Sequence, residues 1–65
     1  MMAAFVLEYG SVDGRWHAQI DMPRDRVLLY HGMGAEPDMM TLEEFEQRHP
    51  SKINEMVAQG ILRKV

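Results

Sequence analysis

The chain of 65 residues carries ten acidic against seven basic side chains, a formal charge of −3, and no cysteine. That length holds a single small domain, 1–65, with a thin core. The missing thiols exclude a disulfide framework and a thiolate zinc site. The mild acidity argues against a dedicated polyanion binder.

Residues 3–9, AAFVLEY, alternate, with Ala3, Phe5, Leu7 and Tyr9 on one side and Ala4, Val6 and Glu8 on the other. Residues 16–22, WHAQIDM, do the same, Trp16, Ala18, Ile20 and Met22 opposing His17, Gln19 and Asp21. Period two with β-branched and aromatic side chains predicts half-buried strands at about 3–9 and 15–22. Between them Asp13-Gly14 is the signal of a two-residue hairpin loop, a type I′ turn with positive φ at both positions. Tyr9 then opposes Ala18, Leu7 opposes Ile20 and Phe5 opposes Met22, every pair apolar on apolar. On the other face Glu8 meets Gln19 and Val6 meets Asp21. A slip by one residue would undo the whole match.

MPRDR turns the chain again, with Pro23 suited to the first central position of a type I turn and Asp25 tolerant of a left-handed backbone. A third strand follows at 26–31, RVLLYH. Its apolar run does not alternate. If Pro23-Arg24-Asp25 forms the loop, Leu28 and Tyr30 join the core face; if Arg26 belongs to it, Val27 and Leu29 do. Either way two large apolar side chains remain opposite, on a face covered a second time or offered to a partner.

The segment 32–40, GMGAEPDMM, reads as a crossover from strand to helix, its Met33 and Met39 filling gaps, or as a binding loop. Its GMG lacks the third glycine of a dinucleotide fingerprint and does not open a helix. Thr41 and Glu44 form a capping box for a helix at 42–48, with Met40 and Phe45 as the hydrophobic staple. Pro50 ends it. Ser51 is placed to cap a second helix at 52–59. Gly60 stands at its left-handed C′ position, pairing Ile61 with Met56 in a Schellman ending. Residues 61–65 leave room for a short C-terminal strand. The fold class is therefore α+β: a three-stranded antiparallel meander with two short helices packed on one face.

Candidate chemistry is sparse. His17, His31 and His49 lack metal-ligand spacing and read as surface or strand-end residues. Glu43, Glu44 and Glu46 make a solvated helix face, since acid–base work would need burial and shifted pKa values. Serine-hydrolase, phosphate-loop and catalytic-cysteine signatures are absent. No enzyme activity, cofactor, metal or small-molecule substrate is expected.

TLEEFEQRHPSKINEMVAQGILRKV resembles part of a winged-helix domain: two short helices, a connecting turn and a GILRKV exit toward a wing strand. The resemblance covers about 25 residues. It implies nucleic-acid contacts at Lys52, Asn54, Arg63 and Lys64. The chain departs from that pattern where a β-meander replaces the first helix, where the turn is short, and where three glutamates would repel phosphate.

No apolar run approaches the roughly 20 residues of a membrane-spanning helix. MMAAFVLEYG lacks the basic start of a secretory leader, so the expected setting is cytoplasmic. The leading expectation is a non-enzymatic interaction module, an accessory or regulatory factor of bacterial or phage type. It would dock on a protein partner or form a homodimer through Val27, Leu28, Leu29, Tyr30, Met33 and Met39. The alternative is a nucleic-acid-binding regulator using residues 41–65.

Overall fold

The computed structural model describes residues 6–32, 34 and 36–62. Strands β1 (Val6–Gly10), β2 (Trp16–Asp21) and β3 (Arg26–His31) run as an antiparallel meander. A fourth strand, β4 (Asp38–Met40), follows, and then helices α1 (Leu42–Arg48) and α2 (Pro50–Ala58). Among the described residues the sheet order is β1-β2-β3-β4, each strand beside its predecessor. The α+β architecture matches the expected class. The expected start of the first strand, including Phe5 and its pairing with Met22, lies outside the described residues.

The β1–β2 register is the one the side-chain pattern demands: Tyr9 opposite Ala18, Leu7 opposite Ile20, Glu8 opposite Gln19 and Val6 opposite Asp21. The turn differs. Gly14 has positive φ but Asp13 does not, so Asp13-Gly14 is not a type I′ turn. Strand pairing instead closes one step earlier, where Ser11 N–H donates to the Trp16 carbonyl at 2.9 Å, and Gly14 N–H donates to the Ser11 carbonyl at 3.0 Å. The physical reason is side-chain competition for the loop amides. Ser11 Oγ accepts from Arg15 N–H and Trp16 N–H and itself donates to Asp13 Oδ1 at 2.7 Å. The wider loop keeps the same pairing sum, so the register survives the change of turn.

In the second turn Asp25 N–H donates to the Met22 carbonyl at 3.2 Å, placing Pro23 first of the central residues, and Asp25 has φ +50°. Asp21 pairs with Arg26, Ile20 with Val27 and Ala18 with Leu29. Arg26 thus belongs to the strand rather than to the loop, yet Val27 and Leu29 take the core face.

The expected crossover at 32–40 is corrected. After Gly32 the chain returns alongside β3, with Val27 opposite Met40, Leu28 opposite Met39 and Leu29 opposite Asp38. Three residues are too few to display a strand period, so the sequence pattern does not reveal them. Met40 ends β4 and serves as the staple, buried in one core cluster with Phe45.

The capping box of α1 is complete: Thr41 Oγ1 accepts from Glu44 N–H at 3.1 Å, and Thr41 N–H donates to Glu44 Oε1 at 2.9 Å. A second support comes from the turn before β3, where Asp25 Oδ1 accepts from Leu42 N–H at 3.1 Å. Helix α2 starts at Pro50, not after a Ser51 cap; His49 is its N-cap residue and makes no side-chain cap bond. Proline at the first helical position sacrifices only an N–H that no helix would pair, so the earlier start costs little. The Schellman ending is present, with Ile61 N–H to the Met56 carbonyl at 2.9 Å and Gly60 N–H to the Val57 carbonyl at 3.0 Å. Ile61 and Leu62 form a bend rather than a strand, and the rest of the expected C-terminal strand, 63–65, lies outside the described residues.

Both helices cover the same sheet face. Their Phe45, Ile53 and Met56 meet Tyr9, Ala18, Ile20, Val27, Leu29 and Met40 from the strands. Leu7, Trp16, Leu42, Val57, Ile61 and Leu62 close the rim. Burial of each large apolar side chain stabilises by roughly 1.5–3 kcal/mol before conformational entropy is counted.

Candidate functional site

Among the described residues no helix lies over the other face of the sheet. Pairing places its side chains in three cross-strand rows: Val6, Asp21 and Arg26; Glu8, Gln19, Leu28 and Met39; Gly10, His17 and Tyr30. Strand alternation puts them all on the side away from the core.

Three of the polar members are hydrogen-bonded within the fold. Gln19 Nε2 donates to Glu8 Oε1 at 2.9 Å, and Arg24 Nη1 reaches Asp21 Oδ2 at 3.1 Å. The His17 and Tyr30 rings lie parallel, 4.3 Å apart with a 5° interplanar angle. Among the apolar members Met39 is 64% and Val6 45% exposed, and Leu28 and Tyr30 are half-buried. An open hollow of about 690 Å³ lies at the His17 and Tyr30 end, bordered by Arg15 and Gly32. A smaller one of about 130 Å³ lies between Val6 and Leu28.

The structure divides the six expected contact residues. Leu28, Tyr30 and Met39 come together on the open face, Leu28 directly beside Met39. Val27 and Leu29 point the other way and are 0% exposed, because strand parity sends them under the helices. Met33 lies outside the described residues. Val6, His17 and Gln19 also belong to the open face, although they are not among the six. The signal for them is in the hairpin register, which already places Val6 and Gln19 away from the core.

Of the expected nucleic-acid contacts, Lys52 has its ammonium 5.2 Å from the centroid of the Trp16 ring, engaged with its own fold. Asn54 is exposed on α2. Arg63 and Lys64 lie outside the described residues.

Several other titratable groups are bound into structure. Glu55, on α2, accepts from Tyr9 Oη at 2.5 Å and from Val12 N–H at 3.0 Å, tying the second helix to the first hairpin. The bond to Glu55, with some burial, pushes the Tyr9 phenol up to about 12. The Asp13 carboxyl is held below the usual range by Ser11 and by the Arg15 amide. Glu44 is likewise held down, chiefly by the Thr41 amide. His31 Nε2 sits 3.3 Å from Asp38 Oδ2, and its ring lies 6.2 Å from that of His49. Burial, then Lys52 and His31, push the His49 imidazole below the ordinary histidine value. Among the described residues no group of three or more His, Cys, Asp or Glu side chains is placed to hold a metal ion. No helix among them is long and apolar enough to cross a membrane.

Comparison with known proteins finds no matching family model, no matching curated protein and no matching solved structure.

Proposed function

We propose that the chain is a small non-enzymatic interaction module, an accessory or regulatory factor that docks on a protein partner through the uncovered face of its sheet. One observation carries this: Leu28, Tyr30 and Met39 form a continuous apolar strip on the face opposite the helices. Around the strip, the carboxylates of Glu8 and Asp21 already have partners within the fold, so covering them leaves neither acid unpaired. A mixed apolar and polar patch of this kind suits a non-obligate interface.

The test compares wild type with Tyr30→Ala and Met39→Ser, using Glu46→Gln on the exposed side of α1 as control. Affinity capture identifies a partner, and titration with that purified partner gives its Kd. Loss of a central aromatic anchor is expected to cost about 2 kcal/mol, or about 30-fold in affinity. Glu46→Gln should bind as wild type does. A concentration series by sedimentation shows whether the partner is a second copy. A monomer whose binding is equally strong in Tyr30→Ala and Met39→Ser would overturn the proposal.

A further inference from the structure

Gly10 stands in β1 without a backbone reason. Its φ is not positive, and among the described residues no atom lies within 4 Å of where a Cβ on it would stand. Glycine weakens a strand, and where the fold does not require it, it often marks the close approach of another group.

Gly10 opens a row on the uncovered face of the sheet: Gly10, His17, Tyr30. The two rings are parallel and 4.3 Å apart, close to the spacing of adjacent strands, so they stand upright side by side. Tyr30 covers one face of the imidazole. The other face looks toward β1, where Gly10 has no side chain to cover it. The result is a slot one strand wide, walled by the exposed His17 ring and floored by the Gly10 backbone. A flat group fits there as a third layer of the stack.

Charge selects the group. Glu8 is two residues back on the same face of β1, roughly 7 Å away. It is exposed, and it accepts from Gln19 through Oε1. Arg15, at the end of the hairpin, is opposed by Asp13 of the same turn. The chain as a whole carries −3. A flat cation therefore suits both the ring and the carboxylate. A guanidinium is planar, stacks on aromatic faces and forks onto carboxylates, whereas an ammonium is a point charge.

We propose that the slot over Gly10 receives an arginine side chain of the docking partner, its guanidinium stacked on His17 and directed to Glu8. The inference rests on the open face being a docking surface and names what the partner must present there.

The test follows NMR signals of the full chain at pH 7.5 and low salt as N-acetyl-arginine amide is added. Three comparison probes are the matching amides of lysine, which has the charge without the plane, citrulline, which has the plane without the charge, and tyrosine, an uncharged ring. The expected results are saturable shifts at Glu8, Gly10 and His17 with the arginine probe, and binding about 2–5-fold weaker with each of the others. Gly10→Val fills the slot with a strand-favouring side chain. It should lose the arginine response while its urea midpoint is no lower than that of wild type. Glu8→Gln should weaken the arginine probe and leave the citrulline probe unchanged. Four outcomes would each overturn the proposal: no shifts at Gly10 and His17, equal binding of the lysine or tyrosine probe, an undiminished response in Gly10→Val, or a lowered midpoint showing that the fold itself needs the glycine. Should Gly10→Val fail to fold, the wild-type probe series and Glu8→Gln decide. Partner binding that weakens in Tyr30→Ala but not in Gly10→Val would sink the slot while sparing the docking face.

Discussion

At the scale of single residues, Glu55 has the widest reach. Its carboxylate gathers Tyr9 Oη and Val12 N–H, joining positions 46 and 43 apart in the chain. The Tyr9 phenol is raised to about 12, so the folded state holds that proton more tightly than the unfolded chain does. The contribution is intact below pH 10 and is lost as pH climbs from about 10 to about 12. A spectrophotometric titration near 295 nm should show a late tyrosinate phase that disappears in Tyr9→Phe. In Glu55→Gln the phase should move toward the ordinary value, because the hydrogen bond to a charged carboxylate is lost and its Coulombic field with it. A single phase at the ordinary value in wild type would contradict the geometry. This tie could not be read from the sequence. Alternation shows that Tyr9 faces the core, but which helical acid stands over it depends on where α2 crosses the sheet.

At the scale of elements, short-range chemistry sets most boundaries. Thr41 and Glu44 are three apart and bond each other's backbone, so the start of α1 is legible. Gly60, with φ +79° and open space where a Cβ would stand, marks the end of α2 just as plainly. Thr41→Ala should destabilise by about 1 kcal/mol through the lost cap. Gly60→Ala should cost roughly 1–2 kcal/mol, from conformation alone. Urea unfolding measures both, and a neutral Gly60→Ala would mean that the Schellman ending is absent. Elements that depend on a distant surface are less legible. Strand β4 exists because β3 offers it an edge, and three residues carry no period of their own. Ser51 loses the capping role because Pro50 is already acceptable to the helix. The tip of the first hairpin goes to Ser11, whose hydroxyl serves two amides that a two-residue turn would leave differently paired.

At the scale of the whole molecule, the sheet separates a face packed under the helices from an open one. Phe45 is fully buried where helices and sheet meet, and Phe45→Ala should cost about 3–5 kcal/mol. A domain of this size has a total stability of roughly 3–10 kcal/mol, so that variant should lose a large share of it and melt at a clearly lower temperature by circular dichroism. Met39→Ser, on the exposed strip, should stay within about 0.5 kcal/mol of wild type. The class of the fold follows from the apolar pattern. The candidate site follows only in part, because β3 is apolar on both sides. Val27 and Leu29 can be told from Leu28 and Tyr30 only once the length of the preceding turn is known.

Strand order has a kinetic consequence. Since each strand lies beside the one before it, the sheet can assemble hairpin by hairpin with short loops to close. The link from Glu55 to the first hairpin spans most of the chain and fits a late step. Weakening it should hasten unfolding more than it slows folding, so this one carboxylate would govern how long the folded form persists rather than how quickly it is reached.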